Sequence, residues 1–77
     1  MRLTVSDPAA VPDLLAALRR SECVAARAAR SAIDVAFPWV GTLAEARQGL
    51  VELAFFARAW EATHPGVTIR VDATPTE

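Results

Sequence analysis

Apolar residues near the N-terminus recur first at strand spacing and then at helix spacing. Polar and apolar residues alternate over 2–6, which predicts a short first strand. Apolar residues of 11–18 then recur every three or four positions, which predicts an amphipathic helix. Asp7 followed by Pro8 is typical of a helix start, but Pro12 suits only a first turn, so the helix begins at Pro8 or at Pro12.

The segment 23–37 is compatible with two structures. Its Ala and Arg residues favour a helix by intrinsic propensity. The alternation from Ile33 to Phe37, ending at Pro38, favours a half-buried strand instead. We favour a β-hairpin that turns near residues 29–31, although this turn lacks the expected Gly or Asn.

The longest amphipathic segment covers 42–63. Thr42 and Glu45 form a capping box, and a helix of about 22 residues would be roughly 33 Å long. After this helix, Gly66 is expected to adopt a left-handed conformation and terminate it. The alternation over 67–72 then predicts a last strand.

The predicted order β-α-β-β-α-β indicates an α+β fold of the ferredoxin-like split β-α-β type. One four-stranded antiparallel sheet would carry both helices on a single face. Residues 1–73 would form one domain, and 74–77 a flexible tail. The expected core comprises Leu3, Val5, Leu14, Leu15, Leu18, Ile33, Val35, Phe37, Leu50, Leu53, Trp60, Val67, Ile69 and Val71.

The chain also resembles small uncharacterised bacterial domains of the ferredoxin-like type. The resemblance rests on the Arg-rich first helix, the Cys23-Val24 strand and the segment from Trp60 to Gly66, and it covers 1–72. It implies the fold but no activity.

The long helix carries two apolar stripes where a surface helix has one. The first contains Leu43, Ala46, Leu50, Leu53, Ala57 and Trp60, and it is expected to pack on the sheet. The second contains Ala44, Val51, Phe55 and Ala62. Either the first helix covers this second stripe, or the stripe binds a partner. Trp39, in the preceding loop, either closes the core or anchors that partner.

Composition excludes several classes of partner. The net charge is −1, and all eight basic residues are Arg. The open face of the predicted sheet would carry Arg2, Thr4, Arg27, Asp34, Thr68, Arg70 and Asp72, with small residues at Ala25 and Ala36, and no aromatic side chains. We therefore expect no nucleic-acid binding. No apolar segment approaches membrane-spanning length, so a cytoplasmic protein without a membrane partner is expected.

The sequence contains no recognisable catalytic or metal-binding constellation. His64 is the sole His and is expected to cap the long helix. Cys23 is expected to be a buried apolar residue, unless a cation such as Arg20 lowers the pKa of its thiol. No carboxylates show metal-ligand spacing. We expect no enzymatic activity and no cofactor.

The leading hypothesis is a binding or assembly domain, a homodimer or a protein-partner module, that associates through the second stripe and Trp39. One alternative is a small-molecule-sensing domain similar to ACT domains, although the Gly that they place after the first strand is missing from Ser6-Asp7-Pro8-Ala9. An acylphosphatase-like enzyme would need an Asn, and the chain contains none.

Overall fold

The structure, a computed structural model, describes residues 1–73. Its strands are β1 (Arg2–Val5), β2 (Val24–Ala29), β3 (Ala32–Ala36) and β4 (Ile69–Asp72), and its helices are α1 (Val11–Arg20) and α2 (Leu43–Thr63). A 3₁₀ turn, Pro8–Ala10, precedes α1. The tail predicted at 74–77 lies outside the described residues.

The four strands form one sheet in the order β2-β3-β1-β4, and every neighbouring pair is antiparallel. This confirms the α+β class with a four-stranded antiparallel sheet and two helices. Helix α1 lies against β2 and β3, whereas α2 lies against β4. Side chains from both helices enter the same hydrophobic core as those of the sheet.

Both alternatives for the start of α1 were partly right. Asp7 Oδ1 accepts a hydrogen bond from the Ala9 amide at 3.0 Å, and Pro8 opens the 3₁₀ turn. The α-helix itself begins at Val11, which places Pro12 in the first turn. Backbone N–H groups in the first turn have no acceptor within the helix, so the lack of an N–H at Pro12 costs no hydrogen bond and does not kink the helix.

The hairpin predicted within 23–37 is confirmed, and the helix is excluded. The strands are connected at Arg30 and Ser31, and a register shift lies between Arg27 and Ala29. The Arg27 guanidinium donates to the Ala29 carbonyl at 3.3 Å and to the Arg30 carbonyl at 2.6 Å. These bonds satisfy turn carbonyls where a Gly-containing turn would normally shape the backbone.

The predicted facing of β2 was wrong. Ala25 pairs with Val35 and Arg27 with Ile33, and both partners are core residues. Paired residues of an antiparallel sheet project to the same side, so Ala25 and Arg27 belong to the core side rather than the open face. Ala25 is buried, whereas Arg27 is exposed.

Both ends of α2 lie where predicted, and the capping box differs in one bond. Thr42 Oγ1 accepts from the Glu45 amide at 3.1 Å, and Glu45 Oε1 accepts from the amide of Gly41, one residue earlier than in an ideal capping box. His64 follows the last helical residue, and Gly66 has a φ of 90°. A side chain at Gly66 would be strained by that backbone conformation.

Nine of the predicted core residues are buried: Leu3, Val5, Leu14, Leu18, Ile33, Val35, Leu53, Trp60 and Ile69. Leu15, Phe37, Val67 and Val71 are half-buried against them. The core also includes the small residues Cys23, Ala25 and Ala57 and the helix-starting Val11. Small side chains let helices approach the sheet closely, which hydrophobicity alone does not indicate.

Leu53→Ala is expected to destabilise the domain by about 2–5 kcal/mol, because its fully buried side chain would leave a cavity. Urea unfolding measures the free energy. The matched control is Leu43→Ala in the same helix, which should change stability by less than about 0.5 kcal/mol because Leu43 is exposed. Equal losses in the two variants would contradict the packing described for α2.

A candidate interaction surface on the long helix

One row of α2 faces the core. Gly49, Leu53, Ala57 and Trp60 are buried. Space at Gly49 is limited, because a Cβ there would lie 3.0 Å from Cδ2 of Phe37, tighter than most Cβ contacts in proteins. The row covers the middle and the C-terminal part of the helix.

The N-terminal part of the first stripe does not pack on the sheet, contrary to expectation. Leu43 is 70% exposed, and Leu50 is only half-buried. Together with Val40 and Arg47, these residues border an open apolar groove of about 320 Å³. The sequence signal for this exposure is the helix length, because about 32 Å of helix exceeds the roughly 13–20 Å of strands with four to six residues.

The second stripe, called the outer stripe from here on, consists of Ala44, Val51, Phe55 and Ala62. All four residues are exposed. Val51 is 49% and Phe55 is 74% exposed, so α1 does not cover them. With Ala54 and Arg58, they border a second apolar depression of about 230 Å³. The interpretation that the first helix covers this stripe is therefore wrong.

Trp39 lies in the loop before α2 rather than on the outer stripe. Its ring stacks on that of Phe37, with centroids 5.2 Å apart, and it remains 44% exposed. Phe37 in turn contacts the position of Gly49. Trp39 therefore covers part of the core through Phe37 and keeps a free ring surface beside the start of α2.

Charged residues flank the outer stripe with opposite signs on its two sides. Arg47 and Arg58 lie on one side, and Glu45 and Glu52 on the other. Arg58 forms a 3.2 Å ion pair with Glu61, and Glu52 accepts a hydrogen bond from Gln48 at 3.2 Å. Within residues 1–73, no carboxylate oxygen lies within 4.0 Å of the Arg47 guanidinium.

Side chains form hydrogen bonds with backbone groups on both edge strands of the sheet. On β2, Arg19 donates to the Ala25 carbonyl at 3.1 Å. On β4, Arg58 donates to the Ile69 carbonyl, and Glu61 accepts from the Ile69 amide at 2.6 Å. Such groups would otherwise pair with a strand of another chain. This leaves the helix face as a better docking surface than the sheet edges.

The open face of the sheet carries the cross-strand ion pair that its charge pattern predicts. Arg2 Nε lies 2.8 Å from Asp34 Oδ1 on the neighbouring strand. The hydrogen bond from Arg2 holds the pKa of Asp34 below its ordinary value. Arg70 and Asp72 form a second pair at 3.4 Å along β4. These mutually satisfied charges are typical of a solvated surface.

His64 stabilises the end of α2, as expected. Its ring stacks on Trp60 with centroids 3.7 Å apart, and Nδ1 lies 2.9 Å from the Trp60 carbonyl oxygen. The Thr63 hydroxyl donates to the same carbonyl at 3.0 Å. Both side chains thus satisfy a carbonyl left free at the helix end.

Cys23 is buried at the start of β2, as expected for a small apolar residue. Burial raises the pKa of its thiol, and the charge of Glu52 raises it further. The possibility that Arg20 lowers this pKa is therefore wrong. A thiol with a raised pKa is a poor nucleophile at neutral pH.

Over the part of the chain that the structure describes, no helix combines the length and the apolar character needed to cross a membrane. In the same residues, no group of three or more His, Cys, Asp or Glu side chains is arranged to hold a metal ion.

No family model matches the chain, and neither the curated proteins nor the solved structures contain a significant match. The resemblance to small bacterial domains therefore stays a prediction.

The pH dependence of Cys23 ionisation tests its environment. Because its pKa is raised, we expect the thiolate absorbance of the folded protein to develop at a higher pH than that of the urea-unfolded chain. Glu52→Gln should shift the titration curve of the folded protein part of the way towards that of the unfolded chain, since it removes the charge of Glu52 and leaves the larger effect of burial. Coincident folded and unfolded curves would contradict the burial of this thiol.

Proposed function

We propose that this chain is a non-catalytic assembly domain that associates with a second copy of itself through the outer stripe of α2. The observation that carries the proposal is the exposure of Val51 and Phe55 on a helix whose opposite face is anchored in the core by Leu53, Ala57 and Trp60. Large exposed apolar side chains that lie together on one face are a common mark of a protein interface.

The position of the outer stripe suits a partner. At about 100° per residue, Val51 and Phe55 lie about 160–200° around the helix from the buried Leu53. A second helix packed there would approach from the side away from the core. The two domains would then lie on opposite sides of the helix pair without colliding.

The size of the surface indicates a weak complex. Stable interfaces bury about 1,600 Å² in total, and a contact between one stripe on each of two helices buries less than that. A dissociation constant on the order of micromolar is therefore expected. A two-fold dimer is the simplest assembly, because it covers the same surface on both subunits.

We also infer that the fold is of the ferredoxin-like type with both helices on one face. The strand order β2-β3-β1-β4 supports this, since β3 lies between β1 and β2 and β1 lies between β3 and β4. The shared core of α1, α2 and the sheet supports it as well. A location in the cytoplasm stays a prediction.

A small-molecule-sensing role is a second candidate, favoured by the groove bordered by Val40, Leu43 and Leu50. Its volume of about 320 Å³ is at the lower end of the range for ligand pockets. A ligand present at about 100 times its dissociation constant would stabilise the fold by about 2.7 kcal/mol. A thermal-shift screen with metabolites distinguishes the two roles, since an assembly domain would instead melt at a temperature that depends on its own concentration.

Phe55→Glu is expected to weaken self-association at least tenfold, or by about 1.4 kcal/mol, because two carboxylates would be brought into an apolar contact. Sedimentation across micromolar concentrations measures the change. Ala16→Glu is the matched control, since it adds the same charge at an exposed position of α1. A wild-type chain that stays monomeric at several hundred micromolar would overturn the proposal.

A further inference from the structure

The outer stripe has the spacing of a coiled-coil seam. Its residues Ala44, Val51, Phe55 and Ala62 are seven, four and seven positions apart. In a heptad repeat, equivalent positions are seven residues apart, and each d position lies four residues before the next a position. In this register, Ala44 and Val51 occupy d, and Phe55 and Ala62 occupy a. Gln48 and Arg58 fill the remaining seam positions.

The same register gives roles to the flanking charges. Arg47 precedes the seam residue Gln48 and is a g position, whereas Glu52 follows Val51 and is an e position. In a parallel helix pair, each g residue faces the e residue five positions later on the partner. Arg47 would therefore face the partner subunit's Glu52, and the two-fold axis would repeat that contact.

We propose that two copies of α2 pair in parallel and in register, with Arg47 of each subunit bound to the partner's Glu52. This rests on the proposed self-association and adds its direction. Both side chains are exposed and on opposite sides of the outer stripe. No carboxylate among residues 1–73 already holds the Arg47 guanidinium.

Apolar contacts alone do not select this direction. The spacing of the outer stripe is the same in both chain directions, so an antiparallel pair would also align it, with Val51 against the partner's Phe55. The charges do discriminate. An antiparallel two-fold brings like sides together and would place Glu52 near the partner's Glu52. Arg47 would lie near the partner's Arg58 and the partner's Glu61, but that Glu61 is already bound within its own chain, to Arg58 and to the Ile69 amide.

The polar seam residues are compatible with the parallel pair. Gln48 would meet the partner's Gln48, and a buried polar pair at an a position is a common determinant of register. Arg58 would face the partner's Arg58, but each guanidinium is held by its own Glu61 and by the Ile69 carbonyl on β4. These intrachain contacts draw the like charges away from the seam.

Charge exchange tests the pairing at low ionic strength, where exposed ion pairs are least screened. Arg47→Glu alone and Glu52→Arg alone should each weaken self-association by roughly tenfold, because both contacts become repulsive. An equimolar mixture of the two variants should recover wild-type affinity, since a mixed dimer contains two attractive contacts. Circular dichroism establishes that both variants are folded.

Disulfide formation gives a second measurement that does not depend on charge. In a Cys23→Ala background, Gln48→Cys should cross-link readily under mild oxidation, because residues at paired a positions lie within disulfide reach. In the antiparallel arrangement the two introduced thiols would be separated by roughly 15 Å along the helices. Efficient cross-linking should then require mixing Gln48→Cys with Arg58→Cys.

The outcomes separate this inference from the self-association on which it rests. In one outcome, Phe55→Glu dissociates the wild-type dimer, neither charge reversal changes its affinity, and the Gln48→Cys variant does not cross-link. That combination would overturn the parallel pairing alone. A monomeric wild type would overturn both proposals. Recovery in the mixture together with rapid cross-linking supports the pairing as stated.

Discussion

The structure of the domain depends on a mismatch in length between α2 and the sheet beneath it. At about 32 Å, the helix is nearly as long as the whole domain, whose longest dimension is 34 Å. Strands of four to six residues are too short to cover one face of a helix of that length. Only the row from Gly49 to Trp60 is buried, and Leu43 remains exposed. The same mismatch leaves an apolar groove under the first turns of the helix.

Arginine side chains limit where the domain can associate. Arg19 of α1 donates to a backbone carbonyl of the edge strand β2, Arg58 of α2 donates to one of the edge strand β4, and Arg2 neutralises Asp34 on the open face. Guanidinium groups suit this work because they offer several donors in a rigid plane. Because one residue on each edge strand is already bonded by side chains and the open face is charged, the outer stripe is the surface that most resembles an interface. Arg47 is the flanking cation that these intrachain contacts leave available in the described residues.

The hairpin and the facing of β2 show two limits of local reasoning. The alternation up to Phe37 was sufficient to favour a hairpin over a helix, because a half-buried strand requires that period. It was not sufficient for the register, because Arg27 replaces the usual turn Gly with side-chain hydrogen bonds and the register shifts beside it. A side chain that bonds to carbonyls two and three residues away leaves no periodic signal. The positions of Ala25 and Arg27 were therefore assigned to the wrong face.

Local patterns in the sequence determined the elements of this protein, because caps and periodicity act over a few residues. Thr42 and Gly66 delimit the long helix, and its two apolar stripes can be counted from the chain alone. Whether α1 covers the second stripe was decided only by the tertiary structure. Leu53 and Phe55 are equally apolar and two residues apart, yet one is fully buried and the other largely exposed. Burial depends on the reach of the sheet and on where α1 lies, and those are properties of the packed domain.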